Sequence, residues 1–214
     1  MRKILGLAAA IALVPAGAAA HALDEYVQAA RLSLTRSGVS LDMDLTPGVQ
    51  VAAPIVALID RDQDGVITPV EAASYAARVL EDTVVELDGE RVVMTLTRID
   101  VPPSVEMREG MGTIHMSARG IHRVRLNGDA RLTFRNNHAP EGSVYLVNAL
   151  VPDDPTLSVV RQERDRFQRS VQIVYDVQPE LSTQVGWIAF AIATSFGIVL
   201  ARRPSARRRR PGRL

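Results

Sequence analysis

Between residues 39 and 45 the chain alternates: Val39, Leu41, Met43 and Leu45 fall on one side, Ser40, Asp42 and Asp44 on the other. A period of two is that of a strand with one buried face. Glu25–Thr35 precedes this run across Arg36-Ser37-Gly38, so the two read as a hairpin. Thr83–Leu87 and Arg91–Ile99 form a second pair about Asp88-Gly89, a favoured hairpin turn. Further short runs follow at Thr113–Ala118, Ile121–Leu126, Ala130–Arg135 (after an Asn127-Gly128 turn), Ser143–Val151, Thr156–Val160 and Ser170–Val177. Many short strands separated by turn residues predict a mainly β fold, an antiparallel β-sandwich.

One stretch breaks this pattern. Pro54–Ile59 is short and apolar, and Ala72–Glu81 is alanine-rich with Tyr75, Ala76, Val79 and Leu80 on one helical side. Residues 54–82 therefore read as a helix-loop-helix insertion between the first two hairpins.

The ends differ in kind from the body. Arg2 and Lys3 precede the apolar run Ile4–Val14, and a small-residue stretch, Ala18 to Ala22, follows Pro15 and Gly17. That is the layout of a secretory signal peptide over residues 1–22, with cleavage after Ala20 or Ala22. Val185–Ala201 carries no charge, holds Trp187 near one edge and is followed by seven arginines in residues 202–214. The run predicts one C-terminal transmembrane helix with an Arg-rich cytoplasmic tail. The expectation is thus a single-pass cell-membrane protein with its main domain, residues 23–184, periplasmic or extracellular. A cleavable sorting tail is the variant reading, since motif, apolar helix and basic end stand in the order of bacterial surface-protein sorting signals.

Charge follows the same division. The whole chain has a formal net charge of +1, yet residues 23–184 hold 16 basic and 24 acidic groups, a charge of −8. An acidic body argues against nucleic acid as a partner, because the phosphate-attracting charge is confined to the ends. The absence of cysteine excludes disulfides, thiolate nucleophiles and iron–sulfur ligation.

The chemistry-bearing motif lies inside the insertion, Asp60-Arg61-Asp62-Gln63-Asp64-Gly65-Val66-Ile67-Thr68-Pro69-Val70-Glu71. Carboxylates at alternate positions, Asp60, Asp62 and Asp64, can converge if the chain turns sharply after them. Gly65 supplies the backbone freedom for that turn. The Val66 carbonyl needs no side chain to ligate, Thr68 can act through a water, and Glu71 can close the shell with both oxygens. Thr68, Pro69 and Glu71 also have the spacing of an N-cap, first helical residue and capping-box partner.

All twelve positions resemble the EF-hand calcium-binding loop. The resemblance implies Ca2+ as the bound ion, with Asp60, Asp62, Asp64, Val66, Thr68 and Glu71 as the metal-ligating residues. Val56, Ile59 and Ile67 fill the apolar positions of that family. A single loop, Ala72 in place of a large apolar residue and a short entering helix depart from the paired sensors. They fit a structural or weakly buffering site, with extracellular affinities of roughly 10⁻⁴–10⁻³ M.

The four histidines offer a second chemistry. Cleavage after Ala20 would make His21 the N-terminal residue, whose amine and imidazole can chelate copper or nickel. The opening His21-Ala22-Leu23-Asp24-Glu25-Tyr26, with its acidic strand-rich body, is similar to ectodomains associated with hydrogenase/urease-accessory metal transporters. His115, His122 and His138 read as strand or turn histidines.

No catalytic motif is present, and no small-molecule substrate is identified. Three functional readings remain. The first is an anchored extracytoplasmic calcium-binding protein with a binding or assembly role at the envelope, where an envelope protein or transporter is the partner. The second is an accessory of nickel, cobalt or copper transport. The third is a calcium-stabilised envelope enzyme.

Overall fold

The computed structural model describes residues 24–124 and 128–179. All its elements lie in the first of two units, Met1–Gln178; of the second, Pro179–Leu214, only Pro179 is described. Strands β1 (Tyr26–Thr35) and β2 (Gly38–Pro47) open the chain as a hairpin. Helix α1 (Val49–Ile59), a loop and helix α2 (Pro69–Glu81) follow. Next come β3 (Thr83–Leu87), β4 (Glu90–Arg91), β5 (Met94–Asp100) and a short helix α3 (Ser104–Arg108). Strands β6 (Ile114–Ile121), β7 (Gly128–Asn136), β8 (Ser143–Ala149), β9 (Leu157–Arg164) and β10 (Ser170–Val177) complete the unit.

The strands form two five-stranded sheets, in the orders β5-β6-β2-β1-β8 and β4-β3-β7-β10-β9. Their inner faces follow the period of two seen in the sequence. Leu32 on β1 stands opposite Leu41 on β2, and Phe134 on β7 stands between Val85 on β3 and Val171 on β10. These side chains join one buried cluster fed by both sheets. Helices α1 and α2 carry the chain from the first sheet to the second, and their Ile55, Val56, Ile59, Tyr75, Ala76 and Val79 enter the same cluster. The acidic loop of residues 60–68 therefore hangs between two helices that are each fixed in the core.

Several expectations need correction. The sandwich is not wholly antiparallel: β8 lies parallel to β1, from Tyr26↔Ser143 to Leu32↔Ala149. The link after β7 brings β8 in beside the start of β1, where the Tyr26 N–H donates to the Gly142 carbonyl at 2.8 Å. The strand expected over Arg91–Ile99 is split, because β4 pairs within the second sheet and β5 within the first. Thr113–Ala118 and the described start of Ile121–Leu126 are not two strands, and residues 125–127 lie outside the described residues. A single β6 runs through Arg119-Gly120 to Ile121, and residues 122–124 leave the sheet. Helix α1 starts at Val49, with Pro54 inside it. Proline there removes the bond to the Gln50 carbonyl and crowds that carbonyl, a cost offset by burying Ile55, Val56 and Ile59 in the core.

The expected transmembrane helix is also corrected as part of the fold. Among the described residues no helix is long and apolar enough to cross a membrane. Residues 185–201, where it was placed, lie outside the described residues, as do the signal-peptide residues 1–22, His21 and the Arg-rich tail.

Candidate metal centre

The centre is built from the end of α1 and the start of α2. Val56 and Ile59 are fully buried and anchor the last turn of α1. Asp60 caps that helix, its N–H donating to the Val56 carbonyl at 2.8 Å, and is drawn inward to 3 % exposure. Its Oδ2 accepts the Gly65 N–H at 3.0 Å, which closes the first half of the loop. Gly65 has φ +86°, a left-handed conformation that suits glycine and completes the turn. Gln63 is also left-handed, at φ +62°.

The other carboxylates organise the loop backbone. Asp62 Oδ1 accepts the Asp64 N–H at 3.3 Å, and Asp64 Oδ1 accepts the Val66 N–H at 2.8 Å. Glu71 Oε2 accepts the Thr68 N–H at 3.0 Å and the Thr68 hydroxyl at 2.8 Å. Thr68 Oγ1 in turn accepts the Glu71 N–H at 3.3 Å, which completes the capping box anticipated by the spacing. Glu71 Oε1 accepts the Arg61 N–H at 2.8 Å. The bonds from Thr68 and then from Arg61 hold the Glu71 carboxyl below the usual carboxylate range.

One carboxylate oxygen from each of Asp60, Asp62 and Glu71 lies within 4.8 Å of the others. Oxygens bound to one calcium at 2.3–2.6 Å stand at most about 5 Å apart, so this spread suits a single cation. The decisive atom is Asp60 Oδ1, which is buried and has no hydrogen-bond partner. A buried carboxylate oxygen with nothing to bond it is costly, and a cation removes that cost. The all-oxygen donor set fits a hard ion. The cluster can hold a metal ion, with Asp60, Asp62 and Glu71 as its carboxylate holders.

The remaining expected ligands are placed less directly. Asp64 is outside the converged group and holds the backbone of Val66. The Val66 side chain points to solvent, at 64 % exposure. The Thr68 hydroxyl is engaged with Glu71. Ser104, at the first position of α3, was not anticipated. It is buried, and its hydroxyl donates to the Gly65 carbonyl at 2.8 Å. Nothing in the sequence around Ser104 points to a loop 39 residues away.

The described histidines do not join the centre. His115 Nδ1 lies 2.8 Å from Asp44 Oδ1 on the outer face of the first sheet. His122 Nε2 is 3.7 Å from Glu90 Oε2. His138, expected in an ordinary polar turn, is instead buried at 3 % exposure.

Fold and site together define a two-sheet β protein with a helix-loop-helix insertion that can hold a metal ion. No known protein family matches the chain, and no curated protein is similar to it in sequence.

Proposed function

We propose that the chain is an extracytoplasmic calcium-binding protein with a binding or assembly role at the cell envelope. The observation that carries this is the buried, unpartnered Oδ1 of Asp60 beside the carboxylates of Asp62 and Glu71. Calcium is favoured over magnesium because the donors are flexible loop carboxylates able to give a large, irregular oxygen shell. The loop carries four carboxylates against Arg61, so binding relieves repulsion as well as the orphaned oxygen. The ion would be held chiefly by Asp60, Asp62 and Glu71, and would fix the junction of α1 and α2. The extracytoplasmic setting rests on the basic, apolar and small-residue order of residues 2–22.

Calorimetric titration of the full chain tests the reading. Calcium binding near 10⁻⁴–10⁻³ M, roughly the range of extracellular modules, and lost in Glu71→Ala, supports it. No response to calcium, with tight nickel binding in its place, would sink it in favour of a transition-metal accessory.

A further inference from the structure

His138 follows β7, and both its ring nitrogens are engaged. Nδ1 lies 2.8 Å from Asp82 Oδ2, and Nε2 lies 3.1 Å from the Tyr75 hydroxyl. The Tyr75 hydroxyl is 2.6 Å from that of Tyr26. Tyr26 and Tyr75 are buried to 1 % exposure or less, and among the described residues the Tyr26 hydroxyl makes no other hydrogen bond.

The order of donors in this chain is fixed by chemistry. A neutral imidazole that donates Nδ1–H to the Asp82 carboxylate leaves Nε2 as an acceptor. Tyr75 must then donate to Nε2, and its oxygen accepts from Tyr26. The hydroxyl hydrogens of Tyr26 and Tyr75 then both have an acceptor. When His138 takes a proton, Nε2 becomes a donor, Tyr75 must accept from it, and Tyr75 turns its hydrogen to Tyr26. The hydrogen of Tyr26 is then left in the core with no acceptor, which is costly.

The surroundings bear on the same proton. Asp82, the C-cap of α2, favours the imidazolium, and Arg78 one turn earlier opposes it. Burial is the largest influence and pulls His138 below the ordinary histidine value. Burial also pushes Tyr75 up to about 12 and raises Tyr26, so both stay protonated. The segment holding His138 offers neutral groups: Asn136 Oδ1 accepts the His138 N–H, and Gln28 from β1 and Tyr145 from β8 donate to its carbonyl. Arg169 adds one charge nearby, its Nε donating to the Asn136 carbonyl at 2.6 Å.

Helix α2 thus carries Glu71 in its first turn, Tyr75 one turn on and Asp82 at its end. We propose that Tyr26, Tyr75, His138 and Asp82 form an acid-operated latch on α2. It docks the helix while His138 is neutral, and proton uptake by His138 loosens the helix and, with it, the cation loop. The cation half of this rests on the calcium reading above; the stability half does not.

The sign follows from linkage. The unfolded chain holds the His138 proton below about pH 6.5, whereas the folded chain takes it up only at lower pH. Stability is therefore complete above about 6.5 and falls as pH drops below it, until the folded value is passed.

Long-range 1H–15N NMR of the full chain reads the latch without a mutation. The expected result is an Nδ1–H tautomer for His138 and a midpoint below that of a free histidine. In metal-free protein the melting temperature should fall as pH drops below about 6.5, and His138→Gln should flatten that fall. Asp82→Asn keeps an acceptor and removes the charge that favours the imidazolium. It should lower the His138 midpoint and extend the decline to lower pH. Calcium affinity should weaken several-fold over the same interval in the native chain and less in His138→Gln. An Nε2–H tautomer, or a stability slope unchanged in His138→Gln, overturns the latch. If His138→Gln does not fold, the native NMR titration and Asp82→Asn decide. Absence of calcium binding at every pH overturns the calcium reading and the cation half alone, while the melting slopes still judge the stability half.

Discussion

Glu71 Oε1 accepts the backbone N–H of Arg61 at 2.8 Å, so the last residue of the twelve-residue loop holds the second. The same carboxylate caps α2 through Thr68 and stands in the acidic cluster with Asp60 and Asp62. Cap and metal holder are thus one side chain, and its two duties are separable by substitution. Glu71→Gln keeps an acceptor for Arg61 and Thr68 but gives up the charge. It should leave metal-free stability nearly unchanged and weaken calcium binding by about tenfold or more. Glu71→Ala should lose both, seen as weakened binding in calorimetry and as a lower urea midpoint without metal.

The capping half of this role was readable in the sequence because it rests on local spacing. Thr68, Pro69 and Glu71 fix a capping box whatever surrounds them, and Gly65 marks the turn that places Asp60. The inner face of β2 was equally legible, since strict alternation has one interpretation. What escaped was whatever depends on distant partners. The crossing from β4 to β5 at Val92-Val93 leaves the local pattern β-like while the chain changes sheets. The parallel seating of β8 on β1 is set by the long return of the chain and has no local signature. Ser104 and His138 looked unexceptional because their bonding partners lie 39 and 63 residues away.

Asp60→Asn probes the orphaned oxygen. An amide keeps an acceptor for the Gly65 N–H and removes the buried charge that has no partner. Metal-free stability should therefore stay level or rise. In the native chain, calcium at ten times its dissociation constant should add about 1.4 kcal/mol, or about 3–5 °C in melting temperature. Asp60→Asn should lose that increment, as differential scanning calorimetry with and without calcium would show.

Acid should undo the loop in a defined order. Glu71 has a folded carboxyl value below its unfolded one, so its bonds stabilise the fold fully above about pH 4.3. That contribution fades as pH falls through the lower folded value. Carboxyl NMR should place the Glu71 midpoint below that of a free glutamate in metal-free protein. A midpoint at or above the free value would show that the capping bonds to Thr68 and Arg61 do not persist in solution.

Ser104→Ala tests whether α3 supports the loop. The Ser104 hydroxyl is the link from this helix to the Gly65 carbonyl, and its loss should cost about 1 kcal/mol in urea denaturation. Because Gly65 sits at the turn of the loop, calcium affinity should also fall several-fold. A stability loss with unchanged affinity would confine the role of Ser104 to packing.

Two glycine substitutions separate strain in the loop from collision in the sheet. Gly65 is left-handed, and a Cβ there would meet nothing within 4 Å. Gly65→Ala should therefore cost only the conformational strain, about 1–2 kcal/mol, and it should weaken calcium binding because the turn is where the ligands converge. Gly38 adds a collision to the strain of its own φ of +152°, since a Cβ there would stand 1.9 Å from the Gly120 carbonyl oxygen on β6. That atom belongs to a paired strand and cannot swing aside as a side chain would. Gly38→Ala should cost about 3 kcal/mol or more by forcing β2 and β6 apart. Its calcium-induced gain in melting temperature should nevertheless match that of the native chain, because the loop lies beyond α1. Equal costs for the two variants in urea would mean that the β2–β6 contact yields in solution, and a lost calcium increment in Gly38→Ala would mean that the strain reaches the loop.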